Sequence, residues 1–144
     1  ISVEMAMLSP GIRVYAIDSV EEAVALTRKN ADRFGLKNVQ VVQGMAPEGM
    51  EDFPEPTHAF IGGSRGNMAA ILKSLYTKNP SMRVVINAIS LETLSEIMGC
   101  LKTWKVTDLD ITQVQISKAK TLGDYHMMMG QNPVTIVSFQ FTSN

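Results

Sequence analysis

The chain has 144 residues, 45% hydrophobic and 19% charged, with a formal net charge of −1. These values are typical of one globular domain, exclude a disordered or fibrous protein, and give no electrostatic basis for binding nucleic acid or an anionic membrane. The single Cys100 excludes an internal disulfide and a multi-cysteine metal site, which is compatible with a cytoplasmic protein, and no apolar run reaches the roughly 20 residues that cross a bilayer.

The first eight residues have the pattern of a helix already under way, and Ser9-Pro10-Gly11 ends it. There is no initiator methionine and no signal-peptide pattern in this stretch. The sequence therefore predicts that residue 1 lies inside a fold rather than at its beginning.

A strand and a helix follow. Arg13–Ile17 predicts the strand, and Asp18 comes directly after it. Ser19 and Glu22 have the spacing of a capping box, in which each side chain pairs with a backbone N–H of the other. Apolar residues then recur at helical spacing as far as Phe34.

The next unit repeats this order. Val39–Gln43 predicts a second strand, followed by a loop over residues 44–56. Ala59–Ile61 is a short apolar run typical of a buried strand, and Gly62-Gly63 ends it. An apolar helix face follows at Met68, Ile71, Leu72 and Leu75.

Met82–Asn87 predicts a fourth strand, and Ser90 begins another helix. We expect that helix to turn five side chains inward: Leu91, Leu94, Ile97, Met98 and Leu101. Strands alternating with helices predict a mostly parallel, doubly wound sheet.

The end of the chain has a different pattern. Val106–Ile116 and Val134–Phe141 are strand candidates without a helix between them, so we expect them to pair antiparallel. The connection Ser117–Pro133 is predicted to be a long loop. It carries two lysines, a tyrosine, a histidine and three consecutive methionines, which suit an anionic, partly apolar ligand. The alternative is a solvated loop whose methionines pack on the sheet or on another subunit.

Two features predict a ligand site at the carboxyl ends of the strands. Asp18 can accept hydrogen bonds from a ribose diol, or it can cap the following helix. Gly62-Gly63 can admit a ligand close to the backbone, or it can simply form a tight turn. We expect Asp18 and this glycine pair to line one crevice. The sequence offers no phosphate-binding glycine motif, no metal-ligand spacing and no nucleophilic triad.

The chain resembles the class I S-adenosylmethionine (SAM)-dependent methyltransferases, and more narrowly the decarboxylating precorrin-6B methyltransferases of cobalamin biosynthesis. The matching blocks span nearly the whole chain. They are Val14–Asp18 with Glu21–Ala23, Gly44–Glu48, Phe60–Gly66, Asn87–Leu94, Gln113–Lys120 and Asn132–Val134.

The resemblance implies a three-layer, Rossmann-like, mostly parallel seven-stranded sheet with a terminal antiparallel strand. The first strand of the family and its glycine-rich turn are not matched, so we expect a single but N-terminally incomplete domain. Loss of a central strand leaves buried backbone groups unpaired, at about 1–3 kcal/mol each, and we therefore expect an upstream segment to supply it.

The resemblance also implies which residues bind SAM. Asp18, with Ser19, would hold the ribose, Gly44, Met45 and Ala46 would lie along the adenine, and Gly62-Gly63 would border the methyl group. Met45 stands where the family usually has Asp, so apolar contact would replace an adenine hydrogen bond.

The implied reaction is methylation at carbon 15 of a corrin precursor, with loss of carbon dioxide from the acetate on carbon 12. No catalytic residue is assigned. We expect the carboxylates of this anionic tetrapyrrole to pair with Arg65, Lys118, Lys120 and His126, while Asn87 and Tyr125 position the ring edge. The resemblance further suggests a homo-oligomer, in particular a homotetramer.

Two alternatives stay open at this stage. One is a non-catalytic Rossmann-like domain that has lost cofactor binding, which Met45 and the missing strand favour. The other is an NAD-dependent dehydrogenase, which the terminal antiparallel pair disfavours.

Overall fold

The computed structural model of the chain describes residues 1–142, and its contacts form two compact units, Ile1–Pro54 and a second that begins at Glu55. Strands alternate with helices as far as residue 101, as the sequence predicts, and the described residues after it form strands and turns. No helix among the described residues is both long and apolar enough to cross a bilayer.

The first unit contains a two-stranded parallel sheet with helices. Its elements are α1 (Ser2–Met7), β1 (Val14–Asp18), α2 (Glu21–Arg33), β2 (Val39–Gln43) and a single 3₁₀ turn (Glu48–Met50). In the register of the two strands, Val14 lies opposite Val39 and Asp18 lies opposite Gln43. The carboxyl ends of β1 and β2 therefore meet at one edge.

The interior of the first unit is small. Val24 and Ala31 of α2 are buried, and so is Val14 of β1. The Asn38 side chain donates hydrogen bonds to the carbonyl oxygens of Ala6, at 3.0 Å, and Ile12, at 2.7 Å. This one amide ties the end of α1 and the entry to β1 to the start of β2.

The second unit contains a four-stranded sheet, two helices and a separate hairpin. Its elements are β3 (His58–Ile61), α3 (Met68–Lys78), β4 (Arg83–Ala88), α4 (Leu91–Leu101), β5 (Val106–Val114), β6 (Ser117–Leu122), β7 (Tyr125–Gly130) and β8 (Val134–Phe141). The sheet order is β3-β4-β8-β5. β3 and β4 are parallel, and β8 is antiparallel to both β4 and β5, which confirms the predicted terminal pairing.

Burial alternates along β8. Val137, Phe139 and Phe141 are fully or almost fully buried, and the residues between them are half-buried. Apolar side chains of β4 and of the two helices are buried as well, namely Val84, Ile86, Met68, Ile71, Leu72, Leu75 and Ile97. The core of this unit is therefore built on one face of the sheet.

Three sequence predictions are wrong. The stretch predicted as a loop, Ser117–Pro133, is largely the hairpin β6–β7, because its polar and apolar residues pair across a turn at which Gly123 has φ +60°. Leu91 and Met98 of α4 are 80% and 38% exposed instead of inward, since each lies at least 100° around the helix from buried Ile97.

The third wrong prediction is the capping box. α2 has Val20 as its N-cap residue and no side-chain cap hydrogen bond, so Ser19 and Glu22 do not cap it reciprocally. The carboxylate of Asp18 accepts the Val20 N–H instead, at 2.9 Å. Asp18 thus forms a local turn with the backbone N–H two residues later. With this turn in place, the helix begins one residue later than the motif predicts.

Candidate functional site

Asp18 lies at the carboxyl end of β1 with its side chain exposed. One carboxylate oxygen accepts the Val20 N–H, so the group is oriented by its own turn while keeping further acceptor capacity. The Asp18 carbonyl oxygen also accepts a hydrogen bond from Gly44 N–H at 2.9 Å. This contact brings Asp18 next to the turn that carries Gly44, Met45 and Ala46.

That turn is tightly packed on β1. A Cβ atom added at Gly44 would lie 3.4 Å from the Ile17 side chain, and one added at Gly49 would lie only 2.5 Å from it. Gly49 was not identified from the sequence, and a side chain there would require the terminal methyl group of Ile17 to move. The Met45 side chain remains 49% exposed, so this edge presents an apolar surface beside the Asp18 carboxylate.

Gly62 and Gly63 follow β3 at the corresponding edge of the second unit. Ile61 lies opposite Ile86, so Gly62 is level with Asn87 at the end of β4. A Cβ atom added at Gly62 would lie 3.3 Å from the Phe60 ring, whereas at Gly63 it would have no described atom within 4 Å. The space beside Gly63 is therefore open.

Glu96 of α4 holds the turn that follows these glycines, a role that the sequence did not reveal. Its Oε1 accepts the N–H of Met68, the first residue of α3, at 2.9 Å, and its Oε2 accepts the Ser64 hydroxyl at 3.5 Å. The Ser64 residue is buried. Because Met68 and Glu96 are 28 residues apart, no local motif signals this contact.

The turn itself carries strained backbone. Arg65 has φ +49° and Gly66 has φ +85°. The left-handed conformation is unfavourable for arginine, so tertiary contacts must maintain it. The Arg65 side chain is exposed, which leaves its guanidinium accessible at this edge.

Cys100, one turn after Glu96, is buried and is the single free thiol. Burial, and secondarily the negative charge of Glu96, raises the pKa of the Cys100 thiol above its ordinary value of 9.0. Both causes disfavour the thiolate, which is the nucleophilic form. Cys100 is therefore a core residue rather than a nucleophile.

The hairpin β6–β7 divides the predicted substrate residues between its two faces. Lys118 pairs with Met129, Lys120 with Met127, and Leu122 with Tyr125, so both lysines and Tyr125 lie on one face. His126 pairs with Thr121 and lies on the opposite face. All four predicted side chains are exposed.

The predicted site residues thus form two groups. Asp18, Ser19, Gly44, Met45 and Ala46 lie together in the first unit, and Gly62, Gly63, Arg65, Asn87, Lys118, Lys120, Tyr125 and His126 belong to the second. That the two groups line one crevice stays a prediction. No cluster of three or more His, Cys, Asp or Glu side chains suited to a metal ion occurs among residues 1–142.

The chain is similar in sequence to known proteins. A protein from Methanothermobacter thermautotrophicus, described as a probable cobalt-precorrin-6B C(15)-methyltransferase (decarboxylating), is 39% identical over 127 residues, which are 87% of this chain and 66% of that protein. A protein of the same description from Pyrobaculum calidifontis is 34% identical over 96% of this chain and 71% of its own length. The chain therefore spans about two thirds of the length of these relatives.

A solved structure extends the likeness to the fold. The precorrin-6y C5,15-methyltransferase from Geobacter metallireducens matches with a TM-score of 0.83 and 31% identity, over 96% of this chain and 74% of that one. The family model for the precorrin methyltransferase domain matches residues 1–141. Alternating strands and helices, a terminal antiparallel strand and these matches together show that the chain belongs to the precorrin methyltransferase domain family.

Proposed function

We propose that this chain is the main part of a SAM-dependent methyltransferase that methylates a precorrin-6B-type corrin precursor at carbon 15 and decarboxylates its carbon 12 acetate, in cobalamin biosynthesis. The observation that carries the proposal is the match of the family model to residues 1–141. The relatives described as decarboxylating C(15)-methyltransferases support it, since they align with 87–96% of the chain.

The residues at the strand ends fit SAM. Asp18 offers an exposed, oriented carboxylate for a ribose diol, beside Ser19. Gly44, exposed Met45 and Ala46 would lie along the adenine, and Gly62 with the open space at Gly63 would accommodate the methionine end. When bound, SAM supplies the methyl group to be transferred.

The chain's own contribution to the reaction is alignment. Methyl transfer is an in-line displacement, so holding sulfur, methyl and acceptor carbon in line lowers the barrier without a strong base. A site made of glycine backbone suits this task, and Glu96 keeps the turn beyond the glycines in place. No residue is given a catalytic role.

Substrate binding is assigned to residues of the second unit. The tetrapyrrole carries several carboxylates, and the cations Arg65, Lys118 and Lys120 are exposed at this unit's surface. Asn87 and Tyr125 would position the ring edge. His126, on the other face of the hairpin, would pair with a further carboxylate of the substrate.

The hairpin also supports a homo-oligomer, for which the family resemblance suggests a tetramer. Leu122, Tyr125 and the three methionines Met127, Met128 and Met129 are each 44–76% exposed. Two paired strands with this much apolar surface gain stability when another copy of the chain covers them. We place the protein in the cytoplasm, in keeping with its single cysteine.

The proposal is tested on the full-length protein by calorimetric titration with S-adenosylhomocysteine (SAH) and, separately, with NAD. Transfer of labelled methyl from SAM to precorrin-6B and release of labelled carbon dioxide from its carbon 12 acetate are then measured. We expect SAH binding, no NAD binding, and equal amounts of methyl transfer and decarboxylation. Binding of NAD alone would favour a dehydrogenase.

A second candidate, a non-catalytic domain of the same fold, is favoured by Met45 at a position where the family usually has Asp. It predicts that neither SAH nor NAD binds. Restoring the acid with Met45→Asp should then create SAH affinity, whereas in a working enzyme it should only strengthen affinity already present.

A further inference from the structure

A groove of about 400 Å³ lies at the base of the hairpin, where β5, β6 and β8 come together. Its apolar lining comes from Val114, Ile116, Val134 and Ile136. Its polar lining comes from Lys118, Gln131 and Asn132. Of these lining residues, sequence reasoning assigned a role to Lys118 alone.

The sheet register locates the groove relative to Asn87. Ile136 lies opposite Asn87 on β4, and Val134 lies opposite Val114 on β5. Directly opposite residues share a face, so the groove and Asn87 lie on the same face. That face is opposite to the buried one formed by Val137 and its neighbours. Neighbouring strands are about 5 Å apart, so the groove begins within one side-chain length of Asn87.

The backbone at Gln131 is held by a hydrogen bond, whereas the amide side chains of Gln131 and Asn132 remain accessible. The Gln131 N–H donates to the Ile116 carbonyl oxygen at 2.8 Å, which closes the base of the hairpin. Gln131 and Asn132 are exposed, and within residues 1–142 neither amide side chain has a hydrogen-bond partner. Their N–H₂ groups can therefore serve a ligand.

The lining selects an amphipathic anion. Lys118 is the one charged side chain among the described residues that line the groove, and it is positive. An apolar floor with one cation and two amide donors suits a partly saturated ring that bears a carboxylate. A volume of about 400 Å³ is at the lower end of ligand pockets, so it accommodates one edge of a macrocycle and not the whole.

We infer that this groove binds one carboxylate-bearing edge of the corrin precursor, with Gln131 and Asn132 as specificity-determining residues beside Lys118. The inference rests on the proposed function, because that function supplies the tetrapyrrole. It adds a subsite on the same sheet face as Asn87, which would orient the ring relative to the carboxyl end of β4.

The test uses the full-length protein and two stable corrins as probes. Cobyrinic acid has free peripheral carboxylates, and dicyanocobinamide has amides on the same ring. Lys118→Ala and Asn132→Asp should each weaken cobyrinic acid binding about 10-fold, and Asn132→Lys should strengthen it about 3-fold. Cobinamide affinity should change less than about 2-fold in all three variants, since it lacks the carboxylates.

Lys102→Ala provides the matched control. Lys102 is exposed at the far end of α4, and its substitution removes the same charge as Lys118→Ala. It should leave the affinities for both corrins and for SAH unchanged. Affinity for SAH should also stay at the wild-type value in the groove variants.

Asn132→Asp should weaken cobyrinic acid binding and Asn132→Lys should strengthen it. A purely structural role of Asn132 would not produce these opposite effects. Unchanged cobyrinic acid affinity in Lys118→Ala and both Asn132 variants overturns the groove assignment, and so does a wild-type protein that binds SAH but neither corrin. A wild-type protein that does not bind SAH contradicts the proposed function instead. Failure of the groove assignment and failure of the proposed function are therefore distinguishable.

Discussion

The two units end their parallel strands at comparable turns, but they build those turns differently. In the first unit the turn after β1 presents a charged side chain, Asp18, and is held by that residue's own local hydrogen bond to Val20 N–H. In the second unit the turn after β3 presents bare backbone at Gly62 and Gly63, and a carboxylate from α4, Glu96, holds the residues that follow.

The difference shows that a turn at the end of a strand can be stabilised in two ways. A side chain that makes its own turn supplies hydrogen bonds to polar ligand groups. A turn that must stay free of side chains needs support from elsewhere in the fold, because glycine gives the folded state no contacts of its own. Substitutions at Asp18, Glu96 and Gly63 test these two ways of building a turn, and the pH dependence of stability tests the environment of Cys100 beside Glu96.

If Asp18 holds the ribose as proposed, Asp18→Ala removes two charge-assisted hydrogen bonds to it and should weaken SAH binding about 100-fold. The free energy of unfolding should fall by no more than about 1 kcal/mol, because only the exposed Val20 N–H loses its partner. Calorimetric titration measures the first effect and urea denaturation the second.

Asp18→Asn should bind SAH with intermediate affinity, as its amide oxygen can still accept from Val20. Asp32→Ala, which removes an exposed acid from the last turn of α2, is the control and should change neither quantity. Wild-type affinity in Asp18→Ala would remove Asp18 from the cofactor site.

Glu96→Ala should lower the free energy of unfolding by about 2 kcal/mol. It leaves the Met68 N–H and the buried Ser64 hydroxyl without an acceptor. Urea denaturation measures the loss, and SAH affinity should fall with it because the turn is released. Glu96→Gln keeps an acceptor oxygen for Met68 and should recover most of the stability.

Glu92→Ala, in the exposed first turn of the same helix, should cost only a few tenths of a kcal/mol. Equal losses in Glu96→Ala and Glu92→Ala would show that the carboxylate of Glu96 does not support the turn.

Gly63→Ala should weaken SAH binding about 10-fold while changing the stability by less than about 1 kcal/mol. The added methyl group meets no described protein atom within 4 Å, so its only steric conflict is with a bound ligand. Titration with SAH measures the affinity, and thermal unfolding of the same preparation measures the stability.

Gly99→Ala is the matched control, since its Cβ atom also has open space but lies on α4. It should stabilise the protein by about 0.5–1 kcal/mol through helix propensity and leave SAH binding unaltered. If Gly63→Ala binds SAH as tightly as the wild type, the glycine backbone does not face the cofactor.

The smallest effect concerns pH and Cys100. Its pKa is raised in the folded state by burial and by Glu96, so the unfolded chain loses this proton at a lower pH than the folded one. Stability should therefore decrease as pH rises through about 9 and beyond. Denaturation curves from pH 7 to 10.5 measure this, and Cys100→Ala should flatten the dependence. A wild-type curve that rises over this range would contradict the assignment.

Reaction of Cys100 with a thiol reagent gives a second measure. Glu96→Gln removes the secondary cause of the pKa shift, so it should increase the reaction rate slightly at pH 9. An unchanged rate would leave burial as the only cause.

The sequence predicted much of the fold because the fold depends on local periodicity. Apolar residues at alternating or helical spacing located the strands β1 to β4 and the helices α2 to α4 to within a few residues. The missing helix between β5 and β8 was enough to predict their antiparallel pairing. The hairpin β6–β7 was missed because three adjacent methionines have no alternation to indicate a strand.

The candidate site was predicted less completely. The residue types that end strands, Asp18 and Gly62-Gly63, can be identified locally, as can the cations Lys118 and Lys120. The register that places His126 and Lys118 on opposite faces cannot be identified locally. Shifting the pairing of a hairpin by one residue exchanges its faces without changing its composition.

By itself, the sequence determined the family, the order of strands and helices apart from the hairpin β6–β7, and the residues at the strand ends. These follow from spacing and short blocks along the chain. Tertiary structure alone decided that Glu96 supports the turn before α3 and that Asn38 ties α1 to β2. It also decided that Gln131 and Asn132 meet Lys118 at one groove. These residues are far apart in the chain, and only the packing of whole elements brings them together.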